Sequence, residues 1–261
     1  KIYMKKKIIF SIITPVLNRE KFIKKNIDSV KRQSFKNYEH IIVDGKSIDK
    51  TVSIIKKNKN KKTILLSKKD RNLWEAINKG IKISKGEIIG ILNSDDYYYK
   101  DALKNIYKYF KKDNSLSYIF GSVKKHNRVL YKLQKNKIFY KFNVYPSHSV
   151  SFFMKKKIHK KIGLYNINFD LCADYDLFYK LFTNKKFKGT NTKKNEVIGY
   201  FQSGGISEKI SKFKKIIIEF KIRLKNNQNI LFLFFLFQLT VLNILRNFII
   251  NLFKTKKYIK Y

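Results

Sequence analysis

The chain has 261 residues, of which 44% are hydrophobic, so it is long enough to bury a sizeable core and is not a disordered chain. Its formal net charge of +41 indicates an anionic partner, such as nucleic acid, an anionic membrane surface or a phosphorylated substrate. Because the lysines are spread along the whole chain, a genome rich in A/T codons would produce the same excess, and charge alone does not identify the partner.

Residues 8–92 alternate between short apolar runs and segments in which apolar residues recur at helical spacing. Such alternation predicts parallel strands joined by helices, the pattern of an α/β domain. Thr14-Pro15 is expected to break the first strand, and Asp49 to cap the second helix. In chain order the predicted elements are strand 8–13, helix 19–33, strand 38–43, helix 50–57, strand 63–67, helix 73–84 with Gly86 just past its end, and strand 87–92.

The pattern becomes less regular after a helix predicted for 101–111. Two runs, 118–123 and 129–132, are expected to be paired strands, whereas residues 133–147 show no clear pattern. The loop 202–207 contains two glycines that are free to take positive φ angles. The other predicted elements are strands at 149–154 and 197–201 and a helix at 174–182.

The predicted strand 87–92 ends in two adjacent carboxylates, Asp95 and Asp96, after Asn93 and Ser94. Two like charges side by side are costly unless a divalent cation reverses the local electrostatics. In open α/β sheets, ligands bind at the carboxyl ends of the strands, where this pair falls. The alternative is a solvated turn that merely ends a strand, since Asn, Ser and Asp are common in turns.

Several familiar signatures are missing from the sequence. It has no GxGxxG after the first predicted strand and no GxxxxGK[ST], which disfavours a dinucleotide-binding Rossmann enzyme or a P-loop NTPase. A single cysteine, Cys172, excludes an internal disulfide, and with only four histidines a zinc site is disfavoured.

Residues 208–261 differ in character from the rest of the chain. A basic amphipathic helix at 209–225 is followed by a Phe- and Leu-rich run that continues to Phe253. Because its uninterrupted apolar part is shorter than the roughly 20 residues that span a bilayer, we expect it to lie in the membrane interface. The alternative is a helical hairpin packed on protein.

Taken in order along the chain, a set of short segments resembles the family-2 glycosyltransferases, which are inverting enzymes of the GT-A fold that use nucleotide-activated sugars. The segments are SIITPVLN at 11–18, VDGKSIDKT at 43–51, DRNLWEAINKG at 70–80, LNSDD at 92–96, and ADYD at 173–176 followed by GGIS at 204–207. The resemblance implies a GT-A-type α/β/α sandwich with a mixed, mainly parallel sheet over residues 1–207, plus C-terminal helices.

The resemblance also implies a nucleotide pocket. In this family the residue that matches Asp44 reads the base, and the residues that match Thr14 and Pro15 form the floor of the same pocket. Asp70 is expected to help bind the base or the ribose. For Asp44 the alternative is a turn residue that precedes Gly45.

For the acidic strand end, the resemblance implies that Asp95 approaches the ribose or the metal and that Asp96 ligates Mg²⁺ or Mn²⁺ at the diphosphate. Carboxylate oxygens suit these hard cations. The family's acidic motif usually begins with Asp, and this chain has Asn93 there. That departure leaves the metal to Asp95 and Asp96.

Asp174 is the candidate general base, which would take the proton from the acceptor hydroxyl. Asp176 lies about 200° further around a helix, so both carboxylates cannot face one cleft, and the family pattern selects Asp174. The alternative role for Asp174 is a helix cap.

Gly204, Gly205 and Ser207 resemble a loop that closes over the diphosphate, where backbone amides make an anion nest. His148 stands where similar enzymes often carry a His, which contacts the diphosphate or the acceptor. For His148 an ordinary surface histidine is the alternative.

Together with the acidic strand end, the resemblance implies an inverting, metal-dependent, hexosyl-type glycosyltransferase that takes a sugar from a nucleoside-diphosphate sugar, with a UDP-sugar as first choice. The acceptor is expected to be a saccharide or lipid-linked, in cell-surface polysaccharide or glycolipid synthesis. The expected location is cytoplasmic and peripheral, at the inner face of the cell membrane against anionic lipid, and nucleic acid is disfavoured as a partner.

Two alternatives remain open at this point. A sugar nucleotidyltransferase would need a Gly-rich loop with Arg and Lys after the first strand, which residues 14–18 lack. A non-catalytic basic protein that binds membrane or nucleic acid would leave the acidic residues at the strand ends unexplained.

Overall fold

The computed structural model describes residues 7–131, 135–142, 148–169, 172–204 and 211–257, and its strands form two sheets. The strands in these ranges are β1 (Phe10–Val16), β2 (Tyr38–Asp44), β3 (Thr63–Ser67), β4 (Ile88–Ile91), β5 (Tyr97–Tyr98), β6 (Leu116–Phe120), β7 (Ser122–Lys125), β8 (Arg128–Leu130), β9 (Phe152–Lys155), β10 (Lys188–Asn191) and β11 (Val197–Tyr200). The α-helices are α1 (Ile23–Lys31), α2 (Thr51–Asn58), α3 (Leu73–Ile83), α4 (Ala102–Lys112), α5 (Lys156–Ile162), α6 (Ala173–Thr183), α7 (Lys212–Lys225) and α8 (Ile230–Lys257).

The larger sheet has seven strands in the order β10-β6-β9-β4-β1-β2-β3. Strand β9 runs antiparallel to both of its neighbours, and the other pairs are parallel. Side chains of β1 alternate between the two faces, so that Ile13 packs in a core with α3 and α6 while Phe10 and Ile12 pack in a core with α4. The predicted α/β/α sandwich with a mixed, mainly parallel sheet is confirmed.

The first strand is longer than predicted, because Thr14 and Pro15 continue β1 instead of breaking it. Beyond Ile13 the strand no longer pairs with β4, although it still pairs with β2 through Val16. Pro15 therefore sits where only one side of the strand is laddered, and its missing N–H is tolerated.

Helix α2 begins at Thr51, close to the predicted start. The backbone N–H of Thr51 donates to Asp49 Oδ1 at 2.9 Å, although Lys50 occupies the N-cap position. Asp49 therefore supports the start of the helix from one residue further out than expected.

Two expected strands are wrong in detail. The run 118–123 is split at Gly121, with β6 in the large sheet and β7 in the four-stranded sheet β5-β11-β7-β8. A Cβ at Gly121 would clash with Ile198 Cγ1, so the chain crosses between the sheets where β11 passes close by. The run 149–154 begins with a 3₁₀ turn, Ser149–Ser151, before β9.

The segment after α3 is held tightly against β1. Gly86 N–H donates to Ser11 Oγ at 2.8 Å, and a Cβ on Gly86 would lie 2.6 Å from the backbone of Phe10 and Ser11. We expect Gly86→Ala to lower the free energy of unfolding by about 1–3 kcal/mol, because backbone atoms cannot move aside cheaply. Urea unfolding of this variant beside Gly45→Ala, whose new methyl meets atoms no nearer than 3.4 Å, tests the expectation. Equal midpoints for the two variants would contradict it.

The C-terminal helices make different contacts. Helix α7 packs on α6 and places Ile222 in the core shared with α3 and α6. Helix α8 packs on α7 through Leu233 and Leu236, whereas much of its apolar surface is exposed, including Leu231 at 78%. Its window Ile230–Asn247 has a mean hydropathy of 1.8 and is 11% buried, so by length and composition α8 is a candidate membrane span. The helix is longer than its uninterrupted apolar run, and the predicted position in the membrane interface stays a prediction.

Candidate active site

The carboxyl ends of β4, β1, β2 and β3 meet at one edge of the large sheet, because these strands are neighbours and parallel. Asp44 ends β2, directly opposite Val16 on β1 and Ser67 on β3. Asp95 and Asp96 follow β4 at the same edge. The fold therefore gathers acidic residues that are far apart in the sequence, at the edge where ligands bind in open α/β sheets.

Asp44 is fully buried and shapes the turn that follows β2. Its Oδ1 accepts from Ser47 N–H at 3.1 Å and from Ser47 Oγ at 2.5 Å. Its Oδ2 accepts from Lys46 N–H at 3.2 Å and from Ser67 Oγ at 2.7 Å. A carboxylate accepts about four hydrogen bonds, so a ligand N–H that bonds to Asp44 has to displace one of these donors. The structure shows that Asp44 stabilises the turn after β2. That Asp44 also binds the base of a nucleotide stays a prediction.

Asp70 lies beside Asp44, since its Oδ2 would be 3.4 Å from a Cβ added at Gly45. Its Oδ1 is paired with Lys79 Nζ at 2.5 Å. Burial raises the pKa of Asp70, and Lys79 works in the opposite direction. Oδ2 is buried without a hydrogen-bond partner among the described residues, which leaves one acceptor for a ligand donor.

Thr14 does not present its hydroxyl to an open cleft. It is fully buried, and its Oγ1 lies 2.9 Å from His40 Nε2 and 3.3 Å from Asn26 Oδ1. Burial lowers the pKa of His40 to about 3, so that imidazole is neutral. Pro15 is equally buried, and the prediction that Thr14 and Pro15 form the floor of a nucleotide pocket stays a prediction.

Asn26 is a site residue that sequence reasoning missed. Its Nδ2 donates to Asn93 O at 2.8 Å and to Asp96 O at 3.1 Å. These two bonds fix the backbone of the turn that carries Asp95 and Asp96, which we call the acidic turn.

Two more polar residues from the same part of the chain hold the segment that follows the acidic turn. Ser29 Oγ accepts from Tyr98 N–H at 3.2 Å, and Gln33 Nε2 donates to Tyr99 O at 2.8 Å. Asn26 and Ser29 lie on the buried side of α1, and the buried Gln33 follows just beyond its end. Polar residues inside an apolar helical stripe were the signal that could have identified them.

Asp96 is the most deeply buried acid of the turn, with 1% of its surface exposed. Its Oδ1 accepts from Gln202 N–H at 3.0 Å, and its Oδ2 lies 3.6 Å from His148 Nδ1. Burial, and then the neighbouring charge of Asp95, raise the pKa of Asp96 well above its usual range. Burial also raises the pKa of Asp95, while Arg19, another residue that sequence reasoning missed, acts in the opposite direction.

The acidic turn fits a divalent cation. Asp96 Oδ2 is buried without a hydrogen-bond partner in the described part of the chain, and a cation there would stabilise both carboxylates in their charged form. Among the described residues, no group of three or more His, Cys, Asp or Glu side chains is placed to hold a metal ion by itself. Mg²⁺ is commonly held by one or two carboxylates together with substrate phosphates, and Asp95 and Asp96 provide that number.

His148 and the segment before Gly204 converge on Asp96. The His148 ring stacks on Phe201 with 3.7 Å between centroids, next to the Gln202 amide that bonds to Asp96. Gly204 has a φ of +95°, the positive value expected for this loop. The predicted loop residues Gly205 and Ser207 lie outside the described residues, so their roles stay predictions.

Asp174 occupies the first turn of α6, where Cys172 rather than Asp174 is the N-cap residue. Tyr175 N–H donates to Asp174 Oδ1 at 2.8 Å. The side chain keeps part of its surface accessible, yet it sits deeply enough that burial raises its pKa to about 6. A carboxylate with this pKa is suited to general base catalysis near neutral pH. Within the described residues no hydrogen bond joins Asp174 to the acidic turn.

Asp176 points elsewhere, as its position around the helix predicts. It is buried, its Oδ2 accepts from Lys180 Nζ at 2.6 Å, and its Oδ1 accepts from Asn226 Nδ2 at 2.9 Å. Asp176 is therefore a structural residue that ties α6 to the end of α7.

Comparison with known proteins agrees with this geometry. The family model described as Glycosyl transferase family 2 matches residues 11–180. A Mycobacterium bovis protein named PGL/p-HBAD biosynthesis glycosyltransferase is 26% identical over 209 residues, which cover 77% of this chain and 80% of that protein. Chondroitin synthase from Pasteurella multocida is 28% identical over 194 residues, which cover 70% of this chain and 20% of that protein.

Solved structures share the fold. TarS 1–349 of S. aureus in complex with UDP-GlcNAc has a TM-score of 0.64 at 19% identity, covering 83% of this chain and 66% of that one. The mannosyltransferase PcManGT from Pyrobaculum calidifontis, in complex with GDP-Man and Mn²⁺, has a TM-score of 0.64 at 16% identity, covering 84% of this chain and 65% of that one. With the family model matched over most of the sheet and its helices, this chain belongs to the family-2 glycosyltransferases and has their GT-A fold.

Proposed function

We propose that this glycosyltransferase moves a sugar from a nucleoside-diphosphate sugar to an acceptor hydroxyl with inversion at the anomeric carbon. The observation that carries the proposal is the buried Asp96 carboxylate, whose Oδ2 has no hydrogen-bond partner among the described residues, at the sheet edge that also holds Asp44 and Asp70. Family membership favours this activity over a sugar nucleotidyltransferase and over a binding protein that acts through charge alone.

In the proposed reaction, Asp174 accepts the proton of the acceptor hydroxyl as that oxygen bonds to the anomeric carbon. The bond from the anomeric carbon to the diphosphate oxygen breaks, with its electron pair leaving on the nucleoside diphosphate. One displacement of this kind inverts the anomeric centre. The proton stays on Asp174 until solvent removes it.

Asp95 and Asp96 would hold Mg²⁺ or Mn²⁺, which when bound neutralises charge on the diphosphate. Gln202 N–H donates to Asp96 Oδ1 and holds that carboxylate in place, and His148 Nδ1 lies 3.6 Å from Oδ2. In this proposal Asp44 and Asp70 bind the nucleoside, and the loop that begins at Gly204 covers the diphosphate.

A thermal-shift panel of nucleoside diphosphates tests the donor class. We expect UDP with Mn²⁺ to raise the melting temperature of the native protein, since a ligand that binds only the folded state stabilises it by mass action. UDP is the first choice, because TarS was solved with UDP and UDP-GlcNAc, and GDP is the second, because PcManGT was solved with GDP-Man. If no diphosphate shifts the melting temperature with or without metal, the proposal fails.

The acceptor is proposed to be a saccharide or a lipid-linked molecule in polysaccharide or glycolipid synthesis, in line with the names of the relatives. We further propose that the protein works in the cytoplasm at the inner face of the membrane. The exposed apolar surface of α8 and the chain's net charge of +41 support contact with anionic lipid.

Co-sedimentation with lipid vesicles tests the membrane contact. Replacing the exposed residues Leu231, Phe235 and Leu242 of α8 with Ser is expected to reduce binding to vesicles that contain phosphatidylglycerol. The matched control replaces three apolar residues exposed elsewhere with Ser; they are Ile64, Ile83 and Leu130. Equal loss in both triple variants would contradict a specific role for α8.

A further inference from the structure

Helix α7 is bonded to the helix that carries Asp174 by side chains that the proposed reaction does not use. Arg223 is fully buried, its Nε donates to Tyr175 Oη at 2.8 Å, and its Nη2 donates to Lys141 O. The guanidinium carbon lies 4.3 Å from the centre of the Phe142 ring. Burying a guanidinium is costly unless it is hydrogen-bonded, and Nε and Nη2 of Arg223 have partners in Tyr175 and Lys141, whereas Nη1 has none among the described residues.

Three residues at four-residue spacing on α7 face the first turn of α6. Arg223 bonds to Tyr175, and the buried Glu219 acts on Tyr175 through its charge. Burial raises the pKa of Asp174, and the charge of Lys215 acts in the opposite direction. Residues four apart share one face of a helix, so a single stripe of α7 meets the turn that contains the proposed base.

The bond from Arg223 reaches the residue next to the proposed base. Asp174 and Tyr175 are adjacent in the chain, and Tyr175 N–H donates to Asp174 Oδ1 at 2.8 Å. The backbone of Tyr175 therefore orients the carboxylate, while its hydroxyl is fixed from outside the helix by Arg223. A shift of Tyr175 would move Asp174 with it.

A second bond joins the same part of the chain to α6 farther from Asp174. Tyr179 Oη donates to Gln228 Oε1 at 3.1 Å, one turn along α6 from Tyr175. Tyr175 and Tyr179 are both buried, and the hydroxyl of each bonds to a residue of the C-terminal region. Tyr175 and Tyr179 are therefore a matched pair for mutation, since each loses one such hydrogen bond as Phe but only Tyr175 is adjacent to Asp174.

We propose that Arg223 is a positioning residue, which holds Tyr175 and with it the first turn of α6 so that Asp174 faces the acceptor hydroxyl. This inference rests on the proposed function. In the described part of the chain, the other charged or titratable groups coupled to Asp174 are Lys215 and the Tyr165 phenol. Loss of the hydrogen bond between Arg223 and Tyr175 is expected to change the position of Asp174 relative to Lys215 and Tyr165.

The experiment compares Tyr175→Phe with Tyr179→Phe in the full chain, by kcat for UDP release from UDP-GlcNAc, UDP affinity and the pH profile of kcat. We expect Tyr175→Phe to lower kcat about tenfold and to move the acid limb of the profile, with UDP affinity unchanged, because misplacement of a catalytic group costs rate rather than donor binding. Tyr179→Phe should keep kcat within about twofold of the native value. Arg223→Lys, which keeps the charge, should repeat the effect of Tyr175→Phe.

Equal kcat values for the two Tyr→Phe variants would overturn the positioning role, as would a loss confined to UDP affinity. Dividing each rate by the fraction of protein that binds UDP removes any contribution from misfolding. Asp174→Asn separates the two proposals. If Asp174→Asn turns over at the native rate, the base assignment itself is wrong, whereas an inactive Asp174→Asn with equal Tyr→Phe variants removes only the positioning role.

Discussion

Asp174→Asn is expected to lower kcat for sugar transfer by about 10²–10⁴-fold, because the amide cannot accept the proton of the acceptor hydroxyl. UDP affinity should stay unchanged, since Asp174 does not belong to the acidic turn. In the native enzyme, kcat should fall as the pH drops below about 6, where Asp174 becomes protonated. A radiolabelled transfer assay at pH values on both sides of this pKa measures both effects.

Asp174→Asn is expected to increase the stability of the folded protein at neutral pH, although it lowers kcat. Because the folded-state pKa of Asp174 is raised from 3.8 to about 6, the folded protein binds the proton more tightly than the unfolded chain does between these values. Stability from this group is therefore present at low pH and is lost as the pH rises through that window. Asp174→Asn should be more stable than the native protein at about pH 7, by about 1–2 kcal/mol once partial exposure is allowed for, and not below about pH 4.

Asp176→Asn is the matched control for Asp174→Asn. It removes a carboxylate from the same helix turn, but one that bonds to Lys180 and Asn226. We expect it to lower the melting temperature while kcat stays close to the native value. If Asp176→Asn lost as much kcat as Asp174→Asn, the assignment of the base would be wrong.

Asp96→Asn is expected to abolish the Mn²⁺-dependent rise in melting temperature with UDP and to lower kcat by about 10²–10⁴-fold. The physical reason is that an amide is a poorer ligand for a hard cation than a carboxylate, and metal stabilisation of the leaving diphosphate is worth several kcal/mol. Differential scanning fluorimetry with UDP, with and without Mn²⁺, measures the first effect. The transfer assay measures the second.

Asp113→Asn provides the control for charge. It removes one carboxylate on the surface, where Asp113 pairs with Lys188 at 2.8 Å, and it should keep the metal-dependent shift. A full Mn²⁺-dependent shift in Asp96→Asn would rule out Asp96 as a metal ligand.

The α/β sandwich could be predicted because buried parallel strands and amphipathic helices leave strong local patterns. The strand boundaries at Pro15 and Gly121 could not be predicted from the sequence, because both depend on which neighbouring strand lies alongside. The acidic residues at the strand ends were identified from the sequence. The hydrogen bonds that the Asp44 carboxylate accepts, and the contact of Asn26 with the acidic turn, could not be predicted because they form only when distant segments meet.

The burial of Ile222 and Arg223 of α7 affects where this chain can be truncated. A change of sequence character near residue 208 invites removal of everything after it, to obtain a smaller and more soluble catalytic fragment. Such a fragment would lose Ile222 from the core and leave Tyr175 without its Arg223 partner. We therefore expect the folded catalytic unit to need α7, and we expect truncation for solubility to be tolerated only within α8.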